Sequence, residues 1–199
     1  MARRFEELAF QPTRMGDISL RRRFDPVLGG EVFEAKLDDE FLMSSAFTVA
    51  EIALARRGLA RTQGDALDVV VGGLGLGYTA LAVLEDPRVR SVTVIEAIDE
   101  VISWHRRGLL PDATALATDP RVDLRCADFF ACVQGPGFDP HRPGRRYDAV
   151  LLDIDHSPEH VLHPSHEAFY TTAGLRRLRD LLPVSYTHLT LPTIRRGGR

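Results

Sequence analysis

Two spacings of apolar residues alternate along this chain. Leu67–Val71 is a short β-branched run, and Ser91–Glu96 and Val122–Arg125 are further short strand patterns. Tyr147–Asp153 is almost wholly apolar, which predicts a strand buried on both faces. Between them, Tyr78–Leu84, Asp99–Arg106 and Thr172–Leu182 carry apolar residues at helical spacing; Trp104 reads as core and Asp86-Pro87 ends the first of these helices. Strands alternating with helices predict an α/β fold, a doubly wound and mainly parallel sheet covered on both sides. Upstream, Ile18–Phe24 and Glu31–Leu37 flank the turn-rich Asp25-Pro-Val-Leu-Gly-Gly and predict a β-hairpin. Ser44–Arg57 follows as a helix, with Thr48 and Glu51 spaced as a capping box and Gly58 as its stop. Residues 1–16 read as irregular, and Gln134–Arg146, rich in glycine and proline, reads as an exposed loop. The chain divides into a hairpin-and-helix module at 1–58 and an α/β domain at 59–183.

Composition narrows the partners. The 199 residues are 44% hydrophobic, enough for one domain with a small appendage. A net charge of −3 supplies no global field for nucleic acid or membrane. Arg21-Arg22-Arg23 and Arg145-Arg146 read as solvated edges. Cys126 and Cys132 have no metal spacing and imply a reducing, cytoplasmic setting. Met1-Ala-Arg-Arg leads into Phe5-Glu-Glu without the apolar stretch of a signal peptide, and no segment reaches membrane-span length. The expected partner is a small molecule.

Candidate chemistry concentrates where strands end. Gly72-Gly73-Leu-Gly75-Leu-Gly77 follows the first core strand and opens a helix, as in a Rossmann-like nucleotide-binding unit. Glu96 closes the next strand, 24 residues after Gly72, placed to accept hydrogen bonds from a ribose. Together these predict an adenosine-containing cofactor held by Gly72, Gly73, Gly75, Gly77 and Glu96. Asp128 follows the third strand and reads either as an acceptor for the adenine amine or as a helix N-cap, with Phe129 or Phe130 available to cover the ring. Asp153 and Asp155 end the fourth strand, where ligands of open parallel sheets bind, and both are candidates for catalysis. His156-Ser-Pro-Glu-His160 spells a zinc-peptidase pattern, but that pattern works on a helix and Pro158 lies inside it. This segment, with His163 and His166, reads as a polar loop over the cofactor mouth, and no metal is expected.

The strand–GGxGxG turn, the second strand ending in Glu96, Ala127-Asp128-Phe129, Tyr147-Asp-Ala-Val-Leu-Leu-Asp153, the hairpin and Asp39-Glu40-Phe41 resemble the spermidine synthase family over Met15–Leu182. Single motifs are shared with S-adenosylmethionine-dependent methyltransferases. The resemblance implies a fold of the S-adenosylmethionine-dependent transferase type and a sulfonium nucleoside bound by the glycine turn, Glu96 and Asp128. It implies aminopropyl transfer from decarboxylated S-adenosylmethionine to a small amine, with Asp153 orienting the amine and taking its proton. The hairpin module offers a surface for a homodimer. The chain departs from the family at Gly75, where an aspartate usually pairs with the aminopropyl ammonium. It also departs at Met43, Ser44 and Ser45, which replace a tyrosine and an acid that grip the diamine, and in Asp153-Ile-Asp-His-Ser-Pro158, one residue longer than usual. These changes leave two alternatives: methyl transfer from S-adenosylmethionine to a small acceptor, or nucleoside binding without catalysis. Val184-Ser-Tyr-Thr-His-Leu-Thr-Leu-Pro-Thr193 resembles a translated sequencing adapter, so 184–199 is expected to be non-native and the domain C-terminally truncated. The fourth strand would then be an apolar edge, and the product poorly soluble or partly unfolded.

Overall fold

A computed structural model of the chain describes residues 5–154 and 164–183. Asp155, His156, His160, His163 and the adapter-like tail lie outside the described residues. The described residues form two four-stranded sheets. The first is antiparallel and runs β1 (Phe5–Thr13), β2 (Gly16–Asp25), β3 (Gly30–Leu37), β4 (Glu40–Ser44) in order. Its centre is the expected hairpin, with Ile18 opposite Leu37 and Phe24 opposite Glu31. The irregular reading of residues 1–16 is corrected, because Phe5–Thr13 pairs with β2 throughout. A bulge between Glu7 and Ala9 shifts the register and breaks the alternation that would have revealed the strand. The arginine run is also tied down: Arg22 meets Glu6 at 2.5 Å, and Arg23 meets Asp25 and Glu34 at 2.7 and 2.8 Å.

Helix α1 (Val49–Leu59) starts after Thr48, but the Thr48 side chain makes no capping bond, so the capping box does not form. The helix also continues through Gly58. A Cβ there would lie 2.5 Å from Leu151 Cδ2, so Gly58 is a packing contact rather than a stop.

The second sheet is parallel: β5 (Leu67–Gly72), β6 (Val89–Glu96), β7 (Val122–Cys126) and β8 (Ala149–Leu152), in the order β7-β6-β5-β8. Around it stand α2 (Tyr78–Leu84), α3 (Asp99–Arg106), α4 (Ala113–Thr118), α5 (Phe129–Gln134), a 3-10 helix (Pro164–Tyr170) and α6 (Thr172–Asp180). The alternation of β5 shows why both faces are covered: Val69 and Val71 enter one core cluster with Trp104, while Val70 enters another built from Phe129, Phe130, Phe138, Tyr147 and Phe169. The chain builds β5, β6 and β7 outward, then crosses back to place β8 on the other side of β5. The strand order therefore reverses between β5 and β8, and ligands of such sheets bind beyond the carboxyl ends at that point.

The segment expected as an exposed loop is exposed over most of its length but is anchored inward at Gly137–Asp139. Phe138 and Asp139 are buried, and Arg142 and Arg145 reach Asp139 at 3.0 and 3.4 Å. Arg145 also reaches Asp68 at 3.2 Å and is no solvated edge. Asp68 accepts further bonds from Arg90 at 2.5 Å and Ser91 at 2.5 Å. Burial alone would raise the pKa of this carboxyl, but the arginines and the hydroxyl outweigh it and hold it at about 2.

Candidate functional site

The glycine turn is clamped from both sides of β5. Gly73 N donates to Ile95 O at 2.8 Å, and Asp153 N donates to Gly72 O at 2.7 Å. Each glycine faces a different neighbour. A Cβ on Gly72 would lie 2.6 Å from the Phe129 ring, and one on Gly75 would lie 3.0 Å from Met43 Sδ. Gly73, at φ +94°, would drive a Cβ into the carbonyl oxygen of Asp153. Gly77, at φ +93°, opens α2 and yields the space of its missing Cβ to the His105 ring, whose Cε1 lies 2.8 Å away. Only glycine satisfies both the backbone angle and the close approach at these last two positions.

The acids lie along one edge of the sheet: Glu96 at the end of β6, Asp128 after β7 and Asp153 after β8. Glu96 Oε2 accepts from Leu74 N at 2.9 Å and Oε1 from Ile98 N at 2.9 Å. The carboxylate thus pins the glycine turn to the start of α3. Each oxygen retains acceptor capacity for a ligand. Asp128 Oδ1 caps α5, accepting from Phe130 N at 2.8 Å and Ala131 N at 3.1 Å. Its other oxygen lies 3.7 Å from His166 Nε2, and nearly half of the side chain is exposed. The two readings of Asp128 are therefore compatible, one oxygen to each. Phe129 is placed differently from expectation. Its ring is buried among Phe130, Phe138 and Phe169 and packs against Gly72, so it is part of the core rather than an open face for an adenine ring. Asp153 Oδ2 accepts from the buried Thr79 hydroxyl at 2.5 Å, which ties the end of β8 to α2.

Several further neighbours of the turn come from other elements of the chain. Met43 comes from β4, next to the turn in space but far in sequence. Ser45 hydrogen-bonds to Tyr78, whose phenol is pushed upward by burial against that bond. Glu51, freed from capping, keeps one buried carboxylate oxygen with no partner among the described residues. His105 is fully buried on α3, and its Nε2 lies 2.9 Å from Gly75 O. Burial lowers its pKa, and the bond to Gly75 opposes that only in part. The buried positions Val101, Ile102, Trp104 and His105 lie on one face of α3, so the spacing that marked Trp104 as core also marked its neighbour. Among the described residues, no group of three His, Cys, Asp or Glu side chains is placed to hold a metal, and no helix is long and apolar enough to cross a membrane.

No protein-family model matches the chain. A polyamine aminopropyltransferase of Corynebacterium efficiens is 34% identical over 113 residues, covering 56% of this chain and 20% of that protein. A crystal structure of spermidine synthase in complex with the transition state analogue AdoDATO superposes with a TM-score of 0.67 at 19% identity, over 88% of this chain and 54% of that one. Spermidine synthase from Thermotoga maritima gives 0.66 at 19%, over 88% and 53%. The chain thus spans about half the length of these solved structures and a fifth of the curated relative. Over the matched stretch the sequence is similar to a polyamine aminopropyltransferase, and over most of its length the fold is similar to that of spermidine synthases.

Proposed function

We propose that the crevice beyond β5, β6 and β7 takes an adenosyl sulfonium nucleoside, and that the protein transfers a group from it to a small amine. The nominal reaction is aminopropyl transfer from decarboxylated S-adenosylmethionine to a polyamine. The observation that carries this reading is the turn itself. Gly73 and Gly77 remove side chains where backbone and ring approach, and Glu96 stands beside them with both oxygens oriented by backbone N–H groups. Gly72, Gly73, Gly75 and Gly77 would line the nucleoside's approach, Glu96 would accept from the ribose, and the outer oxygen of Asp128 from the adenine amine.

In the proposed step the amine nitrogen attacks the carbon beside the sulfonium. A C–N bond forms, and the C–S bond breaks with its electron pair left on sulfur as a neutral thioether. The amine proton passes to a carboxylate. Asp153, held through one oxygen by Thr79, is the described group for that task, and Asp155 is a second candidate on the same segment. Sulfur is already a cationic leaving group, so the step needs no metal. We read 1–58 and 59–183 as two modules, the first able to pair subunits, acting on a small molecule in the cytoplasm.

Supplying putrescine and decarboxylated S-adenosylmethionine should yield spermidine and methylthioadenosine, and Asp153→Asn should lower turnover by about 10²- to 10⁴-fold. No spermidine, or full turnover by the variant, overturns the polyamine reading or the assignment of Asp153 respectively. A second reading, methyl transfer from S-adenosylmethionine, is favoured by Met43, whose thioether fills the space beside Gly75. That reading yields S-adenosylhomocysteine instead. Binding of methylthioadenosine with neither product points to a non-catalytic nucleoside-binding protein.

A further inference from the structure

His105 is fully buried and bonded to a carbonyl, which fixes its chemistry. Gly75 O can only accept, so His105 Nε2 carries the proton and donates at 2.9 Å. Nδ1 is then a bare acceptor, and it is buried with no partner among the described residues. It faces the Cα side of Gly77, 3.6 Å from where a Cβ would stand. A histidine whose only bond serves one loop carbonyl is an unusual filler for an apolar site, where burying unpaired polar atoms is costly. Its bond therefore calls for a role.

The role follows from peptide geometry. The Gly75–Leu76 peptide is trans, so its C=O and N–H point in opposite directions. When His105 draws Gly75 O toward α3, the N–H of Leu76 turns to the other side of the loop. Among the described residues that N–H donates to no acceptor, and neither does that of Gly75, whereas those of Gly73, Leu74 and Gly77 on the same turn are all used. Of the two, the Leu76 N–H is the one whose direction His105 sets, and among the described residues it is unclaimed.

We propose that His105 is a positioning residue for the nucleoside crevice: it orients the Gly75–Leu76 peptide so that Leu76 N–H donates to an oxygen of the bound nucleoside. This rests on the reading of the crevice given above. His105 itself does not touch the ligand.

The test uses the full 199-residue chain and methylthioadenosine as the probe. Calorimetry compares wild type, His105→Leu, which removes the donor, and His105→Gln, which supplies an N–H donor from a similar position. The Leu variant should bind at least about tenfold more weakly, and the Gln variant within about threefold of wild type. In ¹⁵N–¹H spectra of the wild type, the Leu76 amide should shift on saturation. Wild-type affinity in His105→Leu, equal loss in both variants, or an unmoved Leu76 amide overturns the proposal while leaving the crevice intact. Should His105→Leu fail to fold, the Leu76 amide and His105→Gln decide. No binding by the wild type overturns this proposal and the crevice reading together.

Discussion

Gly73 is where a single methyl group does the most harm. Its φ of +94° is unfavourable for any L side chain by about 1–2 kcal/mol, and the added Cβ would also collide with the carbonyl of Asp153, a backbone atom that cannot swing aside. Gly73→Ala should therefore lower stability by more than the backbone term alone, as read from urea denaturation, and should push the end of β8 away from the turn. Gly30 makes the matched control, because nothing lies within 4 Å of its Cβ position and its φ is ordinary. Gly30→Ala should stay within about 0.5 kcal/mol of wild type. Equal effects at the two sites would contradict the clamped geometry of the turn. Glu96 acts at the same scale: it reaches across to Leu74 N and so couples the turn to the strand that carries the acid.

At the scale of elements, Asp68 joins β5 to β6 and to the segment before β8 through Arg90, Ser91 and Arg145. Its pKa is depressed from 3.8 to about 2. The native state therefore holds the proton more weakly than the unfolded chain. The stabilisation is fully present above the ordinary carboxyl pKa and is lost as pH falls from about 4 toward 2. It amounts to about 2 kcal/mol. Asp68→Asn should lose that amount at pH 7 and show a flatter stability profile across the acid window; an unchanged slope would remove Asp68 as the cause. The elements that sequence patterning located were those set by local chemistry. The β-branched run made β5, Asp86-Pro87 ended α2, and Asp99–Arg106 appeared as read. Those it missed depend on partners. β1 is disguised by its bulge, while α4 and α5 are too short to show a period. The site divides the same way. The glycines and strand-end acids are local signals, but Met43, Ser45 and His105 arrive from other elements. Phe129 reads the same whether it lies above the turn or beneath it, and only its packing against Gly72 distinguishes the two.

For the whole molecule, the arrangement of β8 sets the behaviour. All four of its residues are buried, and among the described residues it pairs with β5 alone. An apolar strand with one edge unpaired among the described residues is a template for another chain. Light scattering should show the mass of the 199-residue protein rising above 22.1 kDa with concentration; a monomer that melts in one sharp, reversible transition would contradict this. The antiparallel sheet and the parallel sheet share one apolar cluster, in which Ile18 and Leu20 join Val69 and Val71. That continuity brings Met43 to the glycine turn. The most direct test of the account is a calorimetric titration of the folded protein with methylthioadenosine, alongside Glu96→Ala. Saturable binding at one site per chain, weakened about 10- to 100-fold by the variant, is predicted. No heat of binding from a folded wild type, or binding indifferent to Glu96, would contradict it.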